Sequence, residues 1–115
     1  MPQMFDADDL MNRVDNDVSF LAETVEMLST DGRDLMNQLR QALSGGDAAA
    51  VGRTAHTLKG MISNFCSPQA QASALEVERL GKAGDLTAAE AAVGNLGTQL
   101  DALTAELHSF VQGKS

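Results

Sequence analysis

The sequence has no tryptophan, no tyrosine, only four phenylalanines in 115 residues, a single cysteine, and half as many basic as acidic side chains, 8 against 16. With aromatics at 3% and β-branched residues scarce, a pleated sheet lacks the side chains that favour it, and no stretch alternates apolar with polar residues for long. The lone thiol, Cys66, excludes an intramolecular disulfide. The opening MPQMFDADDL has neither a basic n-region nor an apolar h-region, and no run approaches the roughly 20 apolar residues of a membrane span, so a cytoplasmic chain with no membrane contact is expected. Glycine-rich phosphate-binding loops are missing too, and 115 residues leave no room for a nucleotide-binding domain beside a helical one. A net charge of −8 opposes nucleic acid and anionic membranes, both of which need Lys and Arg to displace counterions. A protein partner is the remaining expectation.

What is present is Leu, Ala, Val and Met, which suit close-packed helices. Three breaks divide the chain: Ser44-Gly45-Gly46-Asp47, Cys66-Ser67-Pro68 and Lys82-Ala83-Gly84-Asp85, each joining a helix stop to a cap or first-turn residue. Between them run apolar stripes at helical spacing. Leu21, Val25, Leu28, Gly32, Leu35, Leu39 and Ala42 mark a helix from about Asp17 to Leu43, with a bend possible at Gly32. Val51, Ala55, Leu58, Ile62 and Phe65 mark a second, from Asp47 to about Phe65. Ala70, Ala74, Val77 and Leu80 or Gly81 form a third, and Leu86, Ala89, Val93, Leu96, Leu100, Leu103, Leu107 and Phe110 a fourth. Short connections make neighbours antiparallel. The expectation is a single all-α domain over residues 1–115, an up-down-up-down four-helix bundle with Phe5, Leu10 and Met11 on a short extra N-terminal helix over one end. An elongated dimer would bury the same stripes, but the strong breaks favour folding back into a monomer.

The helix of the second stripe carries the chemistry. Gly52, His56, Lys59, Gly60 and Ser63 fall on one line beside its apolar face, which turns His56 toward solvent. Glycines at i−4 and i+4 of His56 weaken a helix by roughly 1 kcal/mol each, a cost that makes sense where a partner or a phosphoryl group must come close. Lys59, one turn on, can reach an anion attached to the ring. Solvent-exposed imidazoles titrate near about 6.5, so the neutral, nucleophilic form dominates at cellular pH. Residues 48–65 contain no Asp or Glu, so no carboxylate is expected beside the ring to activate water against a phosphoramidate.

The run His56-Thr57-Leu58-Lys59-Gly60, preceded by Ala55 and followed by Asn64-Phe65, resembles the His-x-Leu-Lys-Gly motif of histidine-containing phosphotransfer (HPt) domains. The likeness extends over the short acidic leader with Phe5 and Asp6, the long second helix, Leu75-Glu76 and the Gly84-Asp85-Leu86 turn. It implies a phosphorelay intermediate in which His56 accepts a phosphoryl group from a receiver-domain aspartyl phosphate, or from a kinase, and passes it to another receiver aspartate. Lys59 would stabilise the phosphohistidine and Gly60 would leave it accessible. Response-regulator receivers and hybrid histidine kinases would be the partners. No cofactor, metal or kinase activity of its own is implied, since Mg²⁺ would belong to the receiver. Two departures stand out: Cys66, where the family commonly has glycine, and Met61-Ile62, where small residues are frequent.

Gly52, Arg53, Met61, Ser63 and Asn64 are the candidate docking rim. Gly52 could equally mark a close helix contact, and Ser63 and Asn64 could simply end the helix. Residues 35–82 hold five bases and three acids, whereas residues 1–34 hold two and nine, so a locally basic surface around His56 would suit a receiver's acidic pocket. Met4, Met11, Met27, Met36 and Met61 read as core filler, and His108 as a surface residue. A docking module that is never phosphorylated is the alternative. An excised amino-terminal domain of a chemotaxis kinase would share the histidine helix. A carboxylate-bridged metal bundle would need inward Glu-x-x-His pairs, and Arg53 and Ala105 stand where those glutamates would be.

Overall fold

The computed structural model describes residues 4–114, and its helices begin where the sequence offers a group suited to a first turn. Asp6, Asp17, Asp47 and Asp85 each accept the backbone N–H three residues on, at 3.0–3.1 Å, which satisfies one amide the helix itself leaves unpaired. These open α1 (Ala7–Arg13), α2 (Val18–Ser44), α3 (Ala48–Ser63) and α5 (Leu86–Lys114). α4 (Pro68–Ala83) starts differently: Pro68 occupies its first turn, and the buried Ser67 makes no side-chain cap bond. Gly46 and Gly84 take left-handed φ values of 72° and 73°, reversing the chain before α3 and α5.

α2 packs on α3 and α5, and α4 packs on the same two, so the four long helices close a square around Leu, Val and Ala side chains. Neighbours are antiparallel, as the short connections require. The stripes land inward, with Val25, Leu39, Leu58, Ile62, Leu96 and Leu103 fully buried, each contributing about 1.5–3 kcal/mol by leaving water. On α2 the buried position after Gly32 is Met36, while Leu35 is only half-buried. The inward face of a straight helix drifts against a strict seven-residue repeat, which moves the contact one residue along. Gly32 is buried where a Cβ would come within 3.3 Å of Leu100, so its bareness seats that leucine.

The leading helix closes one end as expected, although Phe5 lies ahead of its Asp6 cap and not on it. Leu10 is buried, Phe5 meets Phe110 edge to face at 5.3 Å, and the Asp6 N–H donates to the Cys66 carbonyl at 2.9 Å. Cys66 turns the chain between α3 and α4 with φ 56°, the left-handed region that costs a side-chain-bearing residue about 1–2 kcal/mol, which explains why glycine suits this place. Burial and the hydrogen bond to Asp9 push its thiol up to about 11. Among the described residues no helix is long and apolar enough to cross a membrane.

The methionines divide. Met36 is buried and Met4, Met11 and Met61 pack partly against the core, but Met27 is 60% exposed, contrary to its reading as filler. It lies two turns from Phe20, itself 50% exposed, on a flank of α2 that no other helix covers.

Candidate functional site

With Val51, Ala55, Leu58 and Ile62 turned inward, α3 presents an exposed crest of Arg53, His56, Thr57, Gly60 and Asn64. The His56 side chain is 66% exposed. Its Nδ1 lies 2.9 Å from Oε2 of Glu78, which reaches across from α4. The same oxygen receives Lys82 Nζ at 2.9 Å, and the other, Oε1, meets Lys59 Nζ at 2.7 Å. Glu78 is buried, 3% exposed, beneath the groove between the two helices. The ammonium groups of Lys59 and then Lys82 outweigh the effect of burial, and with His56 they hold its carboxyl down to about 2. A carboxylate in that state only accepts, so the proton between it and the imidazole belongs to Nδ1. The neutral ring then carries its lone pair on Nε2.

Two glycines permit this reach. A Cβ on Gly81 of α4 would lie 2.6 Å from the backbone nitrogen of Gly52 on α3, so the helices cross with main chain against main chain. Gly52 is therefore buried and faces α4. It does not clear the outer surface for a docking protein, and of the two readings of this glycine the close helix contact holds. Gly60 does stand open, with nothing within 4 Å of the place a Cβ would occupy.

The carboxylate-free surroundings inferred from residues 48–65 are overturned by Glu78, which comes from another helix. Both of its oxygens are engaged by cations or the ring, so the physical concern, a free carboxylate activating water, does not arise. Its sequence signature is modest: a glutamate flanked at i−4, i−1 and i+3 by the stripe residues Ala74, Val77 and Gly81, with Lys82 at i+4. Lys59, expected to face an anion on the ring directly, is only 25% exposed and already paired with Glu78.

The docking rim separates into two places. Arg53 lines the groove beside His56 and Lys82, whereas Met61 and Asn64 line an apolar groove on the other flank, against Val14, Phe20, Met27 and Leu28. Ser63, partly exposed, is engaged within the fold: its hydroxyl donates to the Gly60 carbonyl at 2.6 Å and its carbonyl accepts from Arg13 at 3.1 Å. The basic middle segment also splits. Arg53, Lys59 and Lys82 gather near His56, but Arg79 is paired with Glu76 at 2.6 Å and Arg40 lies against Gly97 of α5. His108 sits apart, 3.1 Å from Glu26.

An exposed imidazole on a four-helix square, steadied from below, has the features a phosphohistidine carrier needs. The family model of the Hpt domain matches residues 23–109, and the chain belongs to that family, whose members are phosphotransfer intermediates of phosphorelays. No curated protein matches the sequence. Among solved structures, histidine-containing phosphotransfer protein B (HptB) from Pseudomonas aeruginosa PAO1 superposes with a TM-score of 0.89 at 21% identity, over 97% of this chain and 97% of that one. That likeness is one of fold.

Proposed function

We propose that His56 is the phosphoacceptor, taking a phosphoryl group from a receiver-domain aspartyl phosphate and returning it to the aspartate of another receiver. The observation that carries this reading is the bond from Nδ1 to Glu78, which leaves Nε2 as the nucleophile on a ring that is 66% exposed. The Nε2 lone pair attacks phosphorus, the bond to the aspartyl oxygen breaks, and the carboxylate leaves with its electron pair. The ring, still protonated on Nδ1, holds a positive charge that Glu78 faces. Transfer to the next receiver reverses these steps. Phosphoryl transfer needs little covalent help and much positioning, which a fixed ring supplies.

Lys59 neutralises Glu78 and Gly60 keeps the crest open to the partner. Arg53, Met61 and Asn64 contribute to the surface the receiver meets, the latter two through the apolar groove that contains Phe20 and Met27. The bundle acts as a carrier without ATP, Mg²⁺ stays with the receiver, and a hybrid histidine kinase carrying a receiver is an equivalent partner.

Incubation with a ³²P-labelled receiver tests the assignment. Acid-labile, alkali-stable label is expected on the wild type, assigned to Nε2 by ¹⁵N spectra, and is expected to vanish in His56→Gln with unchanged thermal melting. Label persisting in that variant eliminates His56. Undiminished receiver binding and biological output in His56→Ala would point instead to a docking module that is never phosphorylated.

A further inference from the structure

A phosphoryl group on His56 brings up to two negative charges to a site whose two ammonium groups are both committed to Glu78. A lysine that turns to the phosphoryl group has to leave that carboxylate, and the two are not equivalent. Lys59 is the cation on Oε1, an ion pair at 2.7 Å, and that oxygen makes no hydrogen bond among the described residues that could replace it, within a side chain only 4% exposed. Lys82 shares Oε2 with the His56 ring, so after its departure Oε2 still accepts from Nδ1. An orphaned buried carboxylate oxygen is costly, so the lysine that leaves is the one whose place remains filled.

Exposure agrees with this order. The Lys82 side chain is 70% exposed against 25% for Lys59, and it rises from the groove that also holds His56 and Arg53. Its stem lies over Gly52, where a Cβ would meet the lysine Cγ at 3.6 Å, an ordinary contact, so the stem runs along α3 beside the turn before His56. A flexible ammonium on a four-carbon stem can turn to a neighbouring anion without moving the backbone.

We propose that Lys82 is the catalytic cation of the transfer. As the Nε2–P bond forms and the aspartyl P–O bond breaks, Lys82 leaves Glu78 for the phosphoryl oxygens, while Lys59 and Nδ1–H stay on the carboxylate. This rests on His56 being the phosphoacceptor.

The test uses wild type, Lys82→Ala, Lys82→Arg, Lys59→Ala and His56→Gln, phosphorylated by a ³²P-labelled receiver and then separated from it. Initial transfer rate and phosphohistidine half-life are measured beside melting and the His56 Nδ1–H signal in ¹⁵N spectra. Lys82→Ala is expected to slow transfer and shorten the half-life by about tenfold, the scale of one charge-assisted hydrogen bond, with melting and the Nδ1–H signal little changed. Lys82→Arg is expected to recover most of the loss, and Lys59→Ala to lower the melting temperature. Wild-type rate and half-life in Lys82→Ala, with label on His56, overturn this proposal alone, as does loss of the Nδ1–H signal in that variant, which would make Lys82 a structural prop. Label surviving in His56→Gln removes the phosphoacceptor reading and this proposal with it.

Discussion

Glu78 is the residue whose environment differs most from what its position in the chain announces. Its carboxyl titrates at about 2 in the folded protein, below the roughly 4.3 of a free glutamate. A depressed folded value means stability that is full above the unfolded pKa and is lost as pH falls through the folded one. The difference in unfolding free energy between wild type and Glu78→Gln is therefore expected to be largest above about pH 5 and to shrink steadily toward about pH 2, in denaturant titrations at a series of pH values. A flat difference would show that the lysines do not hold the carboxylate as described. His56, Lys59 and Gly60 were legible because they share one helix, where spacing alone fixes their relative directions. Glu78 and Lys82 meet them across a helix pair, and a single sequence carries no register between separate helices. The same limit explains Gly52, whose neighbour is decided by where α4 crosses.

The helices themselves were far more readable. Aspartate caps, Gly46, Pro68 and Gly84 act locally, and the structure begins α2 to α5 and ends α2 and α4 within about two residues of where those signals stand, whereas α5 runs on past Phe110 to Lys114. Less accessible were the drift from Leu35 to Met36 on α2 and the uncovered flank with Phe20 and Met27, since both depend on which faces the neighbouring helices occupy. The crossing of α3 and α4 gives an asymmetric expectation. Gly81→Ala would push a methyl group to 2.6 Å from Gly52 nitrogen, forcing the helices apart. It should lower stability by about 1–3 kcal/mol and reduce labelling of His56, because Glu78 is carried away with α4. Gly52→Ala meets its nearest atoms at 3.6 Å, an ordinary contact, and should melt at or above the wild-type temperature. Calorimetry on the two variants separates these outcomes.

The whole molecule is a rod of 44 × 23 × 20 Å built on one continuous core. Leu58, at 0% exposure, points into that core two residues beyond His56, so Leu58→Asp places an unpaired carboxylate among apolar side chains. The penalty is comparable to the roughly 5–15 kcal/mol that holds a domain of this size together, and far-ultraviolet circular dichroism should show loss of helix. Composition announced this architecture plainly: with few aromatics to fill wide gaps, Leu, Ala, Val and Met had to bring helices close.

Where α3 and α4 touch, atoms of the main chain abut, and main chain cannot rotate aside as a side chain does. Sliding or rolling of one rod against the other is blocked at that joint, only four residues from His56. The His56 ring is thus offered on a stiff mount with a fixed bearing. With the helices held at that joint, whatever movement an arriving anion demands is left to side chains such as Lys82.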